Sequence, residues 1–95
     1  MAEFITRVEL TDANSDDYST LHEEMDNEGF TKTIKDGNGI EYKLPDATYS
    51  YVSSVLNKSD VLQKAKKAAS KTNKSYKILV TQSAGSTWIY LDKVK

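Results

Sequence analysis

The sequence of 95 residues contains no cysteine and no long apolar run. The lack of cysteine excludes a disulfide framework, thiolate metal ligands and a thiol nucleophile, and it fits a reducing compartment. No apolar run approaches the ~20 residues of a membrane span. Residues 1–4 show neither the cationic nor the apolar stretch of a signal peptide. We therefore expect a small cytoplasmic protein with no membrane partner.

The motifs of the common enzyme classes are also missing. The chain has no P-loop, no dinucleotide-binding glycine pattern, no HExxH and no GxSxG. Residues 36–39 resemble the start of a calcium loop, but the glutamate that closes an EF-hand is absent. With 38% hydrophobic and 28% charged residues, the composition is typical of one folded domain over residues 1–95. The sequence thus predicts no metal site, and it leaves any cofactor unknown.

Opposite charges are concentrated in two blocks of the chain. Residues 1–30 carry nine acids and one base, Arg7, whereas residues 31–95 carry twelve lysines and five acids. Such asymmetry predicts either a nucleic-acid-binding patch or two elements that neutralise each other in the fold. We expect the second, with an acidic and a basic helix side by side. The cations left over for phosphate binding are then Arg7, Lys32, Lys35, Lys43 and Lys77, although lysines on edge strands also discourage aggregation.

Hydrophobic periodicity predicts two helices separated by strands. The helices are expected at residues 15–28 and 59–72, where apolar residues recur at the spacing of an amphipathic helix, and Asn14 or Ser15 can cap the first. Two glycines around Asn38 predict a tight hairpin. The strand-like segments are residues 4–10, 30–35, 40–44, 47–55, 76–81 and 87–91.

This element order predicts an α+β protein. Without the two extra strands it is β-α-β-β-α-β, the ferredoxin-like split βαβ sandwich. We expect a mainly antiparallel sheet of four to five strands with both helices on one face. The uncovered face would carry aliphatic and aromatic side chains, which predicts a homodimer.

Two residues are candidates for catalysis. His22 is the single histidine and lies at the edge of the first helix's apolar stripe. It could act as a general base beside a phosphate-stabilising cation, or it could have a packed structural role. Asp12 follows the first strand, where a carboxylate could hold a metal or a water molecule, or could serve an ordinary turn or cap.

Several tyrosines are candidates for binding unpaired bases. Tyr49 and Tyr51 lie near Lys43 and would suit base stacking. Half-buried tyrosines in sheets also occur in cores and dimer interfaces, which is the alternative role. Trp88 and Tyr90 carry the same two alternatives.

The order of segments resembles a known family. An ITRVEL strand leads into a D-A-N-S-x-D-Y-x-x-L-H-E-x-M helix, E-G-F-T-K-T-I and the glycine hairpin; Y-K-L-P-D-A-T-Y, the K-A-K-K-A-A helix and K-S-Y-K-I-L-V-T-Q-S follow. Over nearly the whole chain this resembles the bacterial GhoS-like family, the antitoxins of type V toxin–antitoxin systems. The resemblance implies a ferredoxin-like fold similar to the small CRISPR-associated nucleases, and cleavage of single-stranded mRNA that encodes a membrane-acting toxin. It also implies that Asp12 could correspond to the strand-end carboxylate of those nucleases.

Two functions therefore remain open. The first is a small RNA-binding endoribonuclease of the antitoxin type that acts on single-stranded mRNA. The second is a non-catalytic protein-interaction module or regulator, which would use the acidic helix or the open sheet face. Membership of a fold family does not decide between them.

Overall fold

The computed structural model describes residues 2–84, 88–89 and 91–94. These residues form an α+β domain of two helices and antiparallel sheets. The elements are β1 (Ala2–Leu10), α1 (Ser15–Asn27), β2 (Thr33–Lys35), β3 (Glu41–Lys43), β4 (Thr48–Ser53), α2 (Lys58–Ser70) and β5 (Tyr76–Ser83). The strand expected at residues 87–91 lies partly outside the described residues. Neither helix in the described part of the chain has the length and apolar composition of a membrane span.

Both helices begin with the same capping box. The Asn14 side chain accepts a hydrogen bond from the Asp17 amide, and the Asp17 carboxylate accepts one from the Asn14 amide, each at 3.0 Å. Asn57 and Asp60 repeat this arrangement, also at 3.0 Å. The boxes satisfy amides that have no partner inside the helix. Because Asn57 is the N-cap, α2 begins at Lys58, one residue before the start that the sequence predicts.

The strands form two sheets. The main sheet has the antiparallel order β4-β1-β5, and β2 and β3 form a separate hairpin, so the expected single sheet of four to five strands is wrong. The hairpin joins β4 where the backbones of Thr31 and Ser50 exchange hydrogen bonds of 2.9 and 2.8 Å. Two residues further along the chain, the Thr33 carbonyl accepts a hydrogen bond from the Ser50 hydroxyl at 2.8 Å. This partner is a side chain and not a backbone amide, so the backbone ladder with β4 ends before β2.

Both helices pack on one face of the main sheet. Phe4 of β1, Leu21 of α1 and Val61 of α2 are fully buried in one core cluster. Val52 of β4 and Leu79 of β5, on the opposite face, are 51% and 65% exposed. The helices thus cover one face of the sheet and leave apolar side chains on the other.

Ion pairs connect the acidic helix α1 to the basic helix α2. In the described residues the pairs are Lys64–Glu28 and Lys67–Glu28 at 3.5 Å, Lys71–Glu24 at 3.3 Å and Lys74–Asp17 at 3.7 Å. The expected neutralisation of the two charge blocks is confirmed. Exposed pairs of this kind stabilise a fold by only about 0.2–1 kcal/mol each. Their larger consequence is that these lysines already have partners.

Candidate functional site

A cleft opens where β1 runs past the beginning of β4. The two strands pair as far as Arg7 and Thr48, after which the Val8 amide donates to the Ala47 carbonyl at 3.0 Å. The space between the remainder of β1, the turn before β4 and α1 has a volume of about 520 Å³. Polar residues that line this cleft include Arg7, Glu9, Tyr18, Ser19, His22 and Asp46. Arg7 and Glu9 alternate with the buried Val8 on β1, so their side chains point to the face without helices.

Helix α1 contributes a polar stripe to the cleft. Its members are Ser15, Tyr18, Ser19 and His22, which all line the cleft. Spacings of three and four residues place them on one face of the helix. The Tyr18 hydroxyl accepts a hydrogen bond from the Leu10 amide at 3.1 Å, which ties this stripe to the end of β1.

His22 is held by a hydrogen bond to Tyr49 of β4. Nδ1 of His22 is bonded to the Tyr49 hydroxyl, and the two ring centroids are 5.7 Å apart. Tyr49 is 1% exposed, whereas His22 is half-buried in the wall of the cleft. Burial, with a smaller contribution from Tyr18, raises the pKa of Tyr49, so its phenol stays protonated at neutral pH. Since Nδ1 is engaged, Nε2 is the nitrogen left for a molecule in the cleft.

The surroundings of His22 favour its neutral form. Burial lowers the pKa of His22 most, the positive charge of Lys32 lowers it further, and Asp46 acts in the opposite direction. The imidazole is therefore mostly neutral at pH 7, because its pKa lies below the usual ~6.5. A neutral imidazole can accept a proton.

The structure brings part of the predicted basic surface to this site. Arg7 and His22 line the same cleft, and Lys32 is near enough to affect the pKa of His22. Lys32 and Lys43 line a second cleft of about 350 Å³. Asp46 borders both clefts, so the two are neighbours. Together they form a polar surface with cations at several points.

Other predicted residues lie apart from His22. Lys77 borders a shallow cleft of about 180 Å³ that it shares with Arg7, and Lys35 is exposed at the end of β2. Asp12 is exposed in the turn after β1, where its φ of 52° is left-handed, a conformation that aspartate tolerates. Its alternative role in a turn accounts for this position. Within the described residues, no three His, Asp or Glu side chains come together as metal ligands.

The two candidate stacking tyrosines face the helices. Because Tyr49 is 1% exposed, its ring offers no surface for a base, and the expectation of stacking there is wrong. Tyr51 is half-buried, with its ring 5.1 Å from that of Phe30 and 5.8 Å from Nζ of Lys64. Both side chains take the alternative role in packing, because odd-numbered residues of β4 point to the helix side of the sheet.

The C-terminal segment returns to the β2–β3 hairpin. The Lys43 amide donates to the Asp92 carbonyl at 2.7 Å, and the Trp88 and Tyr42 rings lie 5.4 Å apart. Trp88 is half-buried, and Tyr90 lies outside the described residues. Trp88 thus packs on the hairpin.

Sequence reasoning missed three residues of the cleft, Tyr18, Ser19 and Asp46. A signal for the first two is present, since Ser15, Tyr18, Ser19 and His22 have helical spacing beside the apolar stripe. Asp46 gives no such signal in the sequence. It lies near His22 only because the pairing of β4 with β1 ends at Thr48, which places the preceding turn at the cleft.

No protein-family model and no curated protein matches the chain.

Proposed function

We propose that this protein is a small RNA-binding endoribonuclease of the antitoxin type, which acts on unpaired mRNA in the cytoplasm. The observation that carries the proposal is that His22 lines a cleft with a neighbouring cation, Lys32. A neutral imidazole can take the proton of an attacking hydroxyl, and an ammonium group can stabilise the charge that develops at the phosphate. The resemblance to the GhoS-like family supplies the substrate class, a single-stranded mRNA.

Further phosphates of the strand would bind along the strands and the hairpin. Lys32 and Lys43 share the cleft next to the one that contains His22, and Lys77 shares a third with Arg7. The lysines of α2 that pair with α1 are less available for this purpose, because phosphate would have to displace a carboxylate. Lys35, on the hairpin, extends the basic surface.

We assign the fold to the ferredoxin-like class on the basis of its strand order. The order β4-β1-β5, with Thr31 bonded at the outer edge of β4, matches a split βαβ unit. In that assignment Thr31 lies where the fourth strand would start, and the chain then turns away into the β2–β3 hairpin. The assignment agrees with the fold that the family resemblance implies.

A salt titration of RNA binding tests the proposal. Fluorescence anisotropy with a labelled single-stranded RNA pool should show binding at low salt that weakens steeply as salt is added. Arg7→Gln and Lys32→Gln should each weaken binding and flatten the salt slope by about one unit per lost phosphate contact. Lys66→Gln is the matched control, because Lys66 is exposed on α2, away from the strands and the hairpin. Absence of binding at low salt would overturn the proposal.

A second candidate function is a non-catalytic interaction module. The exposed Leu79 and Val52 on the sheet face without helices favour it. The acidic helix α1 is a weaker candidate for binding a partner, because Glu24 and Glu28 already form ion pairs with lysines. We expect this sheet face to form a homodimer, which sedimentation at tens of micromolar would detect as twice the 10.6 kDa chain mass. Leu79→Lys should yield monomers, and a monomeric native protein would contradict the expectation.

A further inference from the structure

We propose that the cleft cuts RNA by internal transphosphorylation, with His22 as the base, the substrate's own 2′-hydroxyl as the nucleophile and Tyr49 as a positioning residue. The inference rests on the proposed function and adds the reaction class, the required substrate group and the products. The substrate is a ribonucleotide with a free 2′-hydroxyl. The products end in a 2′,3′-cyclic phosphate and a 5′-hydroxyl.

The hydrogen bond between His22 and Tyr49 leaves one imidazole nitrogen for the reaction. Nδ1 of His22 is bonded to the Tyr49 hydroxyl, which is inside the core. Either group can be the donor in this bond, depending on the tautomer. We assign Nδ1–H as the donor, so that the neutral ring carries its free lone pair on Nε2. Tyr49 is well suited to hold the ring, because it is 1% exposed and Phe30 packs edge-on against it at 6.4 Å.

An internal nucleophile matches the groups that the cleft provides. The 2′-hydroxyl of RNA is already adjacent to the phosphorus atom, so the site does not have to bind and orient a separate nucleophile. Such a reaction needs a base for the hydroxyl and a cation for the phosphoryl oxygens. His22 is the base, and Lys32, whose positive charge acts on His22 and which lines the neighbouring cleft, is the cation.

The step balances in atoms and electrons. Nε2 of His22 takes the proton of the 2′-hydroxyl while the 2′ oxygen forms a bond to phosphorus. The bond between phosphorus and the 5′ oxygen breaks, and its electron pair leaves on that oxygen. A solvent water relays the imidazolium proton to the 5′ oxygen, so His22 is neutral again. The overall change is an intramolecular transesterification that uses no oxidant or reductant.

Chemically modified RNA tests the inference on the unaltered protein. The probe is an oligoribonucleotide that the protein cuts, resynthesised with one 2′-O-methyl group at the cut position. We expect the parent fragments to carry 2′,3′-cyclic phosphate ends, and we expect the modified strand to bind with unchanged affinity but remain intact. Fragments with a 3′-hydroxyl, or cleavage at the methylated position, would overturn the inference while the proposed endoribonuclease stands. RNA that binds but is never cut would overturn both.

Two variants test the roles of the side chains. His22→Gln should lower the cleavage rate by about 10²–10⁴-fold, the usual loss when a general base is removed. Lys66→Gln is the control, and far-UV circular dichroism and melting curves establish that the variants fold. Native cleavage by a folded His22→Gln protein would overturn the role of the base.

Tyr49→Phe separates positioning from packing. The phenylalanine retains the buried ring but removes the oxygen that Nδ1 of His22 contacts. We expect kcat to fall with little change in KM, and we expect the ¹⁵N chemical shifts of His22 to move from the Nδ1–H towards the Nε2–H tautomer. The spectrum is simple to interpret because the chain has a single histidine. Unchanged tautomer and unchanged kcat would overturn the positioning role.

Discussion

The hydroxyl of Tyr18 is bonded to both backbone groups of Leu10, at 3.1 Å from its amide nitrogen and 3.4 Å from its carbonyl oxygen. Leu10 lies beyond the last residue of β1 that pairs with β4. The Leu10 amide and carbonyl that face β4 therefore have no partner on that strand, and the Tyr18 hydroxyl bonds to them instead. The side chain connects α1 to the end of β1 and forms one wall of the cleft.

Tyr18→Phe should lower the free energy of unfolding by about 0.5–1.5 kcal/mol, since it leaves the Leu10 amide without this partner. Urea denaturation measures the change. Tyr42→Phe is the matched control, because Tyr42 is a half-buried tyrosine whose hydroxyl has no hydrogen bond in the part of the chain that the structure describes. Equal loss of stability in both variants would contradict the role of the Tyr18 hydroxyl.

Reversing one charge on α2 should destabilise the pairing of the helices. Lys67→Glu places a carboxylate beside Glu28, and Lys71→Glu places one beside Glu24. We expect each change to cost about 1 kcal/mol at low salt and less at high salt, because these partly exposed pairs are screened. RNA binding should hardly change. Lys66→Glu is the control, because Lys66 has no ion-pair partner among the described residues. A native melting temperature in Lys67→Glu and Lys71→Glu would contradict this prediction.

Gly29 should tolerate substitution poorly for two independent reasons. Its φ is +95°, and a Cβ atom there would lie 3.1 Å from Cε2 of Tyr51. Gly29→Ala should therefore cost more than about 1 kcal/mol of stability. Gly37→Ala, in the hairpin turn, is the control, because a Cβ atom at Gly37 meets nothing within 4 Å. Similar denaturation midpoints for the two variants would show that neither strain nor contact matters at Gly29.

Thr6 carries a hydroxyl that the core does not satisfy. Its Oγ1 is buried and has no hydrogen-bond partner in the described residues. Thr6→Val removes that group at nearly constant shape and should raise stability by about 1 kcal/mol. Thr72→Val is the opposite case, since the buried Thr72 hydroxyl donates to the Ala69 carbonyl at 2.8 Å, and it should lower stability. Thermal melts of both variants check the contrast in sign.

The features that were predicted well from the sequence are those whose determining residues lie close together in the chain. The Asp36–Gly39 turn is one example, since the Asp36 carboxylate accepts hydrogen bonds from the Asn38 and Ile40 amides at 2.8 and 3.0 Å. The pairing of the two helices is another, because the charged residues of α1 are all acids and α2 carries lysines with a single acid, Asp60. Both signals are present within a few consecutive residues or a single helix.

The features that sequence did not predict depend on contacts between distant segments. The hairpin leaves the main sheet beside Ser50, whose hydroxyl, and not a backbone amide, bonds to the Thr33 carbonyl seventeen residues away in sequence. The bond between His22 and Tyr49 spans 27 residues and depends on which face of β4 carries Tyr49. A shift of one residue in strand register would move that side chain to the other face, which periodicity alone does not decide.

Acid should weaken the fold through His22. The folded-state pKa of His22 lies below the usual ~6.5 of an unfolded chain. Between these two values the unfolded chain binds more protons, so the stability contribution of the neutral ring is complete above pH ~6.5 and is lost as pH falls towards the folded pKa. The unfolding free energy of the native protein, compared with that of His22→Gln between pH 7 and pH 5, measures this part of the pH dependence. A native profile parallel to that of the variant would contradict it.

The pKa of His22 should respond in opposite directions to its two charged neighbours. The ionisable groups at the cleft are Arg7 and Glu9 on β1, Tyr18 on α1, Tyr49 on β4, and Lys32 and Asp46 on the loops. Lys32 lowers the pKa of His22 and Asp46 raises it, so Lys32→Gln should raise the value towards 6.5 and Asp46→Asn should lower it further. Both shifts should shrink in high salt, because charges that reach solvent are screened. NMR titration of the single histidine follows each variant directly, with Lys66→Gln as the control. An unchanged pKa in both variants would contradict the prediction and leave burial as the cause of the lowered value.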